Sequence, residues 1–200
     1  NSIVSSRMLA TMARAAGVSH EETLTGFKWI GRVPGLAYGY EEALGYCVAP
    51  DPVKDKDGVT AALMLAELAA TEKAAGRDLT DRLDDLAREH GVHATDAFSI
   101  RVGDLSIIGR IMERLRAVPP ASVAGVEVSR LDDLAEGDGG LPPTEGLRWY
   151  LTDASRIVAA DAKLSALASV LAREIYQATG LQLATAAGAP RAGDVVLQLA

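Results

Sequence analysis

Three short polar segments of the chain carry residue types that could bind a small, hydroxyl-rich anion. Thr25 and Gly26 offer a hydroxyl and a backbone N–H that no neighbouring side chain obstructs. Glu41 and Glu42 stand side by side between glycines, and an ionised carboxylate accepts strong hydrogen bonds from hydroxyl groups. Lys56 follows, and its ammonium is a point charge suited to phosphate. Together these segments indicate a site for a phosphorylated, polyhydroxylated ligand.

Each segment taken alone also has an ordinary structural interpretation. Glutamates in a loop and a lone lysine are most often solvated surface residues. Residues 55–58 alone describe a turn that leads into a helix, because Asp and Gly are typical of turns. Phe27, Trp29 and Ile30 are expected in a core or along a cleft. The functional interpretation therefore depends on the joint order and spacing of the segments.

In that order, residues 23–30, 39–46 and 55–58 resemble the sugar-recognition domain of the α-D-phosphohexomutases. This is the family of the phosphoglucomutases and phosphomannomutases. The resemblance covers about residues 1–158, which correspond to the third domain and the start of the fourth. It implies that the chain belongs to a phosphosugar-binding part of an intramolecular phosphotransferase, with a hexose phosphate as its ligand.

The resemblance also assigns the contacts with the sugar phosphate. They fall to Thr25, with Gly26 beside it, and to Glu41 and Lys56. Many family members have a serine two residues after the glutamate, where this chain has Ala43. This form of the segment looks closer to the branch that also includes phosphopentomutases. Ala43 therefore bears on which sugar is bound rather than on the family.

The stretches that perform catalysis in the family are missing from this chain. The family uses a phosphoserine, a Mg²⁺ held by an Asp-rich loop and a phosphate-binding loop. The chain has no Asp-x-Asp-x-Asp-Arg or Ser-His-Asn-Pro-like stretch, and Ala159, Ala160 and Asp161 stand where the phosphate loop should follow. We therefore expect no catalytic residue, no metal ligand and no cofactor in this chain, with Mg²⁺ in the full-length relatives. The isolated chain is expected to be inactive.

The last part of the chain suggests a different relationship. Residues 164–199 are similar to the non-catalytic domain that precedes the barrel in family 20 β-N-acetylhexosaminidases. Alternatively, the final helix and strands complete the sheet of the last mutase domain, or the junction near Val158 is artificial or diverged. Two further functions thus stay open, a non-catalytic carbohydrate-binding module and a glycoside hydrolase accessory domain.

Composition narrows the functional classes. The net charge of −7 and the pI near 5.0 argue against broad binding to nucleic acid or anionic membrane, which needs a positive surface. One cysteine, Cys47, excludes an internal disulfide and favours a reducing, cytoplasmic setting. No apolar run approaches the ~20 residues of a membrane span. The missing initiator Met suggests a piece of a longer protein, whose remaining mutase domains would be its partners.

The residue patterns predict an α/β class, a mixed sheet flanked by helices and followed by a smaller α+β segment. The expected domains are 1–92, 93–158 and 159–200. Ser5 or Ser6 should cap a first helix, and Asp78 or Thr80 a later one. The helix at 60–75 has few polar interruptions and is expected to be buried on most sides. Other expected elements are a strand within 93–102, a helix at 105–115, a strand at 123–128, a loop at 132–143, a hairpin at 147–158, a helix at 164–175 and strands at 181–183 and 195–199.

Overall fold

The computed structural model describes residues 1–42, 44–138, 140–160 and 194–199. Asn1–Ala94 and Thr95–Ala200 form two compact units. Helices and sheets alternate along the chain, which confirms the predicted α/β class. The pairs of strands among the described residues are antiparallel, and the parallel pairing is a single bridge between Ser2 and Thr23.

The first unit consists of helices around a short β-hairpin. Its strands pair in antiparallel register, with Glu41 opposite Gly45. Among the described residues no helix is long and apolar enough to cross a membrane. The elements are α1 (Met8–Ala15), α2 (Phe27–Ile30), β1 (Gly39–Glu41), β2 (Gly45–Cys47), α3 (Gly58–Ala74) and α4 (Leu79–His90).

Local side-chain capping fixes where α4 begins but not where α1 begins. The prediction that Ser5 or Ser6 caps α1 is wrong, because Arg7 is its N-cap residue and no side chain caps it; the Ser6 hydroxyl accepts a hydrogen bond from the Met8 N–H at 3.1 Å. Asp78 caps α4 in a reciprocal arrangement, since its carboxylate accepts from the Asp81 N–H and the Asp81 carboxylate accepts from the Asp78 N–H. Such caps satisfy backbone donors that the helix itself leaves unpaired.

The prediction that the helix at 60–75 is buried on most sides is wrong. No residue of α3 is buried, and Val59 and Leu63 are 80% and 69% exposed. The helix contacts β2 and α4, and large apolar side chains on its other sides face solvent. An apolar composition favours burial, but a helix is buried only where other elements pack against it. The residue pattern of α3 does not show whether such neighbours exist.

A small apolar core joins α2 to the hairpin. Phe27, Ile30 and Cys47 are buried in one cluster, and Leu36 packs against it. The expectation that Phe27 and Ile30 are core residues is confirmed. This core holds α2, which follows Gly26, against β1 and β2, the strands that carry Glu41 and Gly45.

In its described residues, the second unit is an antiparallel sheet with a helix packed on it. Ile111, Met112 and Leu115 of the helix pack against Leu147 and Trp149 of the sheet. Among the described residues the strand order is β3-β8-β7-β6-β5-β4. The elements are β3 (Asp96–Arg101), α5 (Ser106–Ala117), β4 (Ser122–Val123), β5 (Val126–Asp133), β6 (Gly146–Leu151), β7 (Arg156–Ala160) and β8 (Asp194–Leu199).

Most strand predictions for this unit are confirmed, with shifted limits. The hairpin at 147–158 is β6 and β7. The predicted strand at 123–128 is divided between β4 and a longer β5, which extends to Asp133. The predicted loop at 132–143 therefore begins later, and Leu134–Glu136 form a short 3-10 turn within it.

The predicted final strand is β8, which pairs with both β3 and β7. This pairing agrees with the alternative in which the last strand completes the sheet of the second unit. The predicted helix at 164–175 and the strand at 181–183 lie outside the described residues.

Candidate functional site

A buried carboxylate lies at the centre of the candidate site. Glu41 ends β1 and is only 4% exposed. A carboxylate removed from water needs partners for its charge and its oxygens. The Gly26 N–H donates to its Oε2 at 2.6 Å, and Lys56 Nζ lies 2.5 Å from its Oε1. Three residues far apart in sequence therefore meet at one group.

Gly26 presents its N–H because of its backbone conformation. Its φ of 110° lies in the region that favours glycine, just before α2 begins. In the preceding residue, Thr25 Oγ1 is buried and has no hydrogen-bond partner among the described residues. A buried hydroxyl without a partner costs free energy, so Thr25 is suited to receive a hydrogen bond from a bound ligand.

Lys56 is held in place by the residue that follows it. The Asp57 N–H donates to the Tyr46 carbonyl of β2 at 2.9 Å. The Asp57 carboxylate caps α3, accepting from Thr60 Oγ1 at 2.8 Å and from the Val59 N–H at 3.0 Å. These bonds, first of all the one from the Thr60 hydroxyl, hold the pKa of Asp57 below its usual value. The Lys56 backbone is thus fixed between β2 and α3, while its side chain remains 38% exposed.

The stem of Lys56 crosses β2 at a glycine. A Cβ added at Gly45 would lie 2.5 Å from Lys56 Cε and 2.6 Å from its Cδ and Cγ. Gly45 pairs directly with Glu41 across the hairpin, so the lysine stem lies over this position on its way to the carboxylate. The sequence interpretation did not include Gly45. The available signal was a glycine inside a strand, which often marks a close approach of another group.

The neighbouring carboxylate is directed to different partners. Glu42 Oε2 accepts from Ser5 Oγ at 2.9 Å and from Ser2 Oγ at 3.2 Å. Burial raises the pKa of Glu42, the hydrogen bonds to its carboxylate partly oppose that rise, and the nearby Glu41 charge adds to it. The two glutamates therefore have separate roles, and Glu41 is the one that meets Gly26 and Lys56.

The structure thus brings together four of the five residues predicted from the sequence. Thr25, Gly26, Glu41 and Lys56 are contiguous, whereas Ala43 lies outside the described residues. The alternative of a solvated loop glutamate does not hold for Glu41, which is buried. A separate cavity of about 210 Å³ is lined by α1 and by residues 33–38, among others, but by none of the predicted site residues.

The described residues do not fit a metal centre. In the described part of the chain no group of three or more His, Cys, Asp or Glu side chains is placed to hold a metal ion. Mg²⁺ prefers several oxygen ligands, and the candidate site offers one carboxylate already paired with an ammonium. No step of the function proposed below is assigned to a metal ion on this chain.

A carboxylate, an ammonium and a backbone amide thus converge within the first unit. The family model described as phosphoglucomutase/phosphomannomutase, alpha/beta/alpha domain III, matches residues 1–90. The candidate site lies entirely within these residues. The matched part of the chain belongs to the α-D-phosphohexomutase family, as its sequence motifs indicate.

Individual relatives support this assignment. The chain is 48% identical over 137 residues to a probable phosphomannomutase of Haemophilus influenzae, covering 68% of this chain and 28% of the relative. It is 35% identical over 150 residues to human phosphopentomutase (68% and 24%) and 31% identical over 142 residues to a Staphylococcus aureus phosphoglucomutase (66% and 26%). The chain thus spans about a quarter of the length of these curated relatives.

A solved structure shows a similar fold. The open form of parafusin, a phosphoglucomutase from Paramecium, matches with a TM-score of 0.64 and 17% sequence identity. The match covers 99% of this chain and 31% of the Paramecium chain. At this identity the similarity concerns the fold alone.

Proposed function

We propose that this chain is the phosphosugar-binding part of a phosphoglucomutase- or phosphomannomutase-like intramolecular phosphotransferase. The observation that supports this most strongly is the buried Glu41 carboxylate, held between the Lys56 ammonium and the Gly26 N–H. These residues occupy the positions that the family motifs assign to the sugar phosphate. The names of the relatives point to the same substrate class.

Ligand binding would exchange partners within this cluster. The Glu41 carboxylate can only accept hydrogen bonds, so it is suited to sugar hydroxyl groups. Lys56 is partly exposed and flexible, and its ammonium can turn toward the phosphate. If phosphate withdraws Lys56 from Glu41, the buried carboxylate needs the sugar hydroxyls as replacement donors. A neutral sugar or inorganic phosphate supplies only half of this exchange and should bind more weakly than a sugar phosphate.

In this proposal the chain holds the sugar and its non-reacting phosphate while other parts of the enzyme transfer the phosphoryl group. The relatives include enzymes named for hexose and for pentose phosphates, so both classes are candidate ligands. We place the protein in the cytoplasm because its single cysteine is buried and its sequence allows no internal disulfide.

Calorimetric titration of the chain with glucose 1-phosphate, mannose 1-phosphate and ribose 1-phosphate tests this function. Glu41→Gln and Lys56→Met each remove one charged hydrogen-bonding partner, which is worth about 1.5–3 kcal/mol. The dissociation constant should rise roughly 10- to 140-fold. Lys54→Met removes a nearby exposed lysine and is the matched control.

Two outcomes would contradict the proposal. One is equal affinity of the wild type and both site variants for the sugar phosphate that binds best. The other is binding of glucose or of inorganic phosphate as tight as that of any sugar phosphate, because neither carries both groups that the site is proposed to hold.

A further inference from the structure

The first residues of the chain hold the segment that leads into Thr25 and Gly26. The Ile3 N–H donates to the Thr23 carbonyl at 2.8 Å, and the Thr23 N–H donates to the Asn1 carbonyl at 2.9 Å. This is the parallel bridge of the first unit. Because Thr23 lies only two residues before Thr25, its backbone bonds fix one side of the candidate site.

The side chains of the same segment hold the other side of the site. Ser2 and Ser5 are fully buried, and their hydroxyl oxygens lie 3.0 Å apart. Both reach Oε2 of Glu42, at 3.2 Å and 2.9 Å. Glu42 directly follows Glu41, so these bonds also restrain the carboxylate that accepts from Gly26.

We infer that Glu42 is a positioning residue. With Ser2 and Ser5 it ties the end of β1, which carries Glu41, to the segment that carries Thr25 and Gly26. The ligand-binding consequence of this role rests on the proposed function, but the geometry does not. Residues 1–5 contact both parts of the site through independent hydrogen bonds. Their backbone bonds Thr23, and their hydroxyl groups bond Glu42. They therefore set the distance between the Gly26 N–H and the Glu41 carboxylate.

The apolar packing of the first unit is a separate restraint that does not reach Glu42. Phe27, Ile30 and Cys47 hold α2 against the hairpin strands, whereas Glu42 lies beyond the end of β1. Without the Glu42 contact, the backbone at Glu41 would be held by its strand pairing with Gly45, and the Glu41 side chain by Lys56 and Gly26 alone. The expected effect of losing Glu42 is thus a looser Gly26–Glu41 hydrogen bond in a folded domain.

The Gly26 amide proton reports this effect without any ligand. A short hydrogen bond to a carboxylate is stronger than a neutral one and should move the Gly26 amide resonance downfield in a ¹⁵N–¹H spectrum of the chain. Glu42→Ala and Ser5→Ala should each move it upfield, and the double variant should add little because both changes break the same contact. Glu42→Gln keeps an oxygen acceptor and should restore most of the wild-type shift.

Ser6→Ala is the matched control, because the Ser6 hydroxyl lies in the same segment, accepts from the Met8 N–H, and is not among the described groups that hold Glu42. If Glu42→Ala does not fold, Ser5→Ala and Glu42→Gln still give the comparison. A Gly26 resonance unmoved by Glu42→Ala or Ser5→Ala, or moved equally by Ser6→Ala, would overturn the inference. Fully additive shifts in the double variant would do the same.

A second measurement separates this inference from the proposed function. If the wild type binds glucose 1-phosphate, Glu42→Ala should raise the dissociation constant roughly tenfold, and Glu42→Gln should recover most of the loss. If the wild type binds no sugar phosphate, the proposed function fails, while the Gly26 shifts still decide whether Glu42 positions Glu41. Unchanged affinity of Glu42→Ala in a binding-competent chain would contradict the positioning role.

Discussion

A single methyl group added at Gly45 should weaken ligand binding by displacing Lys56, without removing any group that bonds the ligand. In Gly45→Ala the new Cβ would lie 2.5–2.6 Å from three carbons of the Lys56 stem. Non-bonded carbon atoms do not approach each other this closely. Gly45 is not among the residues with a positive φ, so alanine fits its backbone. The strand can therefore remain, and the flexible lysine must move away from Glu41.

The size of the effect follows from the contact with the ligand phosphate that a displaced Lys56 no longer makes. Lys56 Nζ lies 2.5 Å from a carboxylate that is 4% exposed, while the lysine side chain itself is 38% exposed. The lysine side chain is partly exposed, so we count one charged hydrogen bond to the phosphate as lost, about 1.5–3 kcal/mol. The dissociation constant for the best sugar phosphate should then rise up to about 140-fold, while the chain still unfolds cooperatively.

A double-mutant cycle distinguishes displacement of Lys56 from general damage. Gly45→Ala and Lys56→Met should be strongly non-additive, because the second change removes the group that the first displaces. Gly58→Ala is the matched control, since a Cβ at Gly58 meets nothing within 4 Å. Wild-type affinity of Gly45→Ala, or full additivity with Lys56→Met, would show that the added methyl group does not act by displacing Lys56.

Two further predictions concern catalysis and pH. The isolated chain should give no Mg²⁺-dependent product from glucose 1-phosphate or mannose 1-phosphate in a coupled mutase assay, and measurable turnover would contradict this. Burial raises the pKa of Glu42, which faces Glu41, Tyr40 and the hydroxyl groups of Ser2 and Ser5. Its contribution to stability is therefore fully present below the ordinary glutamate pKa and is lost as pH rises through the raised value. In urea unfolding between about pH 4 and pH 8, the free energy of unfolding of Glu42→Gln should depend less on pH than that of the wild type. Equal pH dependence in the two proteins would argue against this contribution of Glu42.

Features set by a few neighbouring residues were predictable from the sequence. The Asp78 cap depends on groups two or three residues away, and the β6–β7 hairpin follows from apolar residues on both sides of the turn at 153–155. Such features need no knowledge of distant contacts. The convergence of Glu41 with Lys56 was predicted by family resemblance, because nothing in the spacing of the two residues requires it.

Features that depend on strand register and on neighbouring elements were not predictable. Gly45 matters because it pairs with Glu41 and lies under Lys56, and neither relation is visible in the residue order. The different directions of Glu41 and Glu42 likewise follow from the end of β1 and from the buried serines. The exposure of α3 was missed because apolar composition describes the helix and not its surroundings.

The proposed function requires that one site for a sugar phosphate is formed by Gly26, Glu41 and Lys56. Its most direct test is an NMR titration of the ¹⁵N-labelled chain with mannose 1-phosphate, following the Gly26 amide and the Lys56 ammonium. If these residues form one site, both resonances should move together and saturate at one ligand concentration, and Glu41→Gln should abolish the response. Saturable shifts confined to residues remote from Gly26, such as Tyr38 at the separate cavity, with Gly26 and Lys56 unmoved, would contradict it.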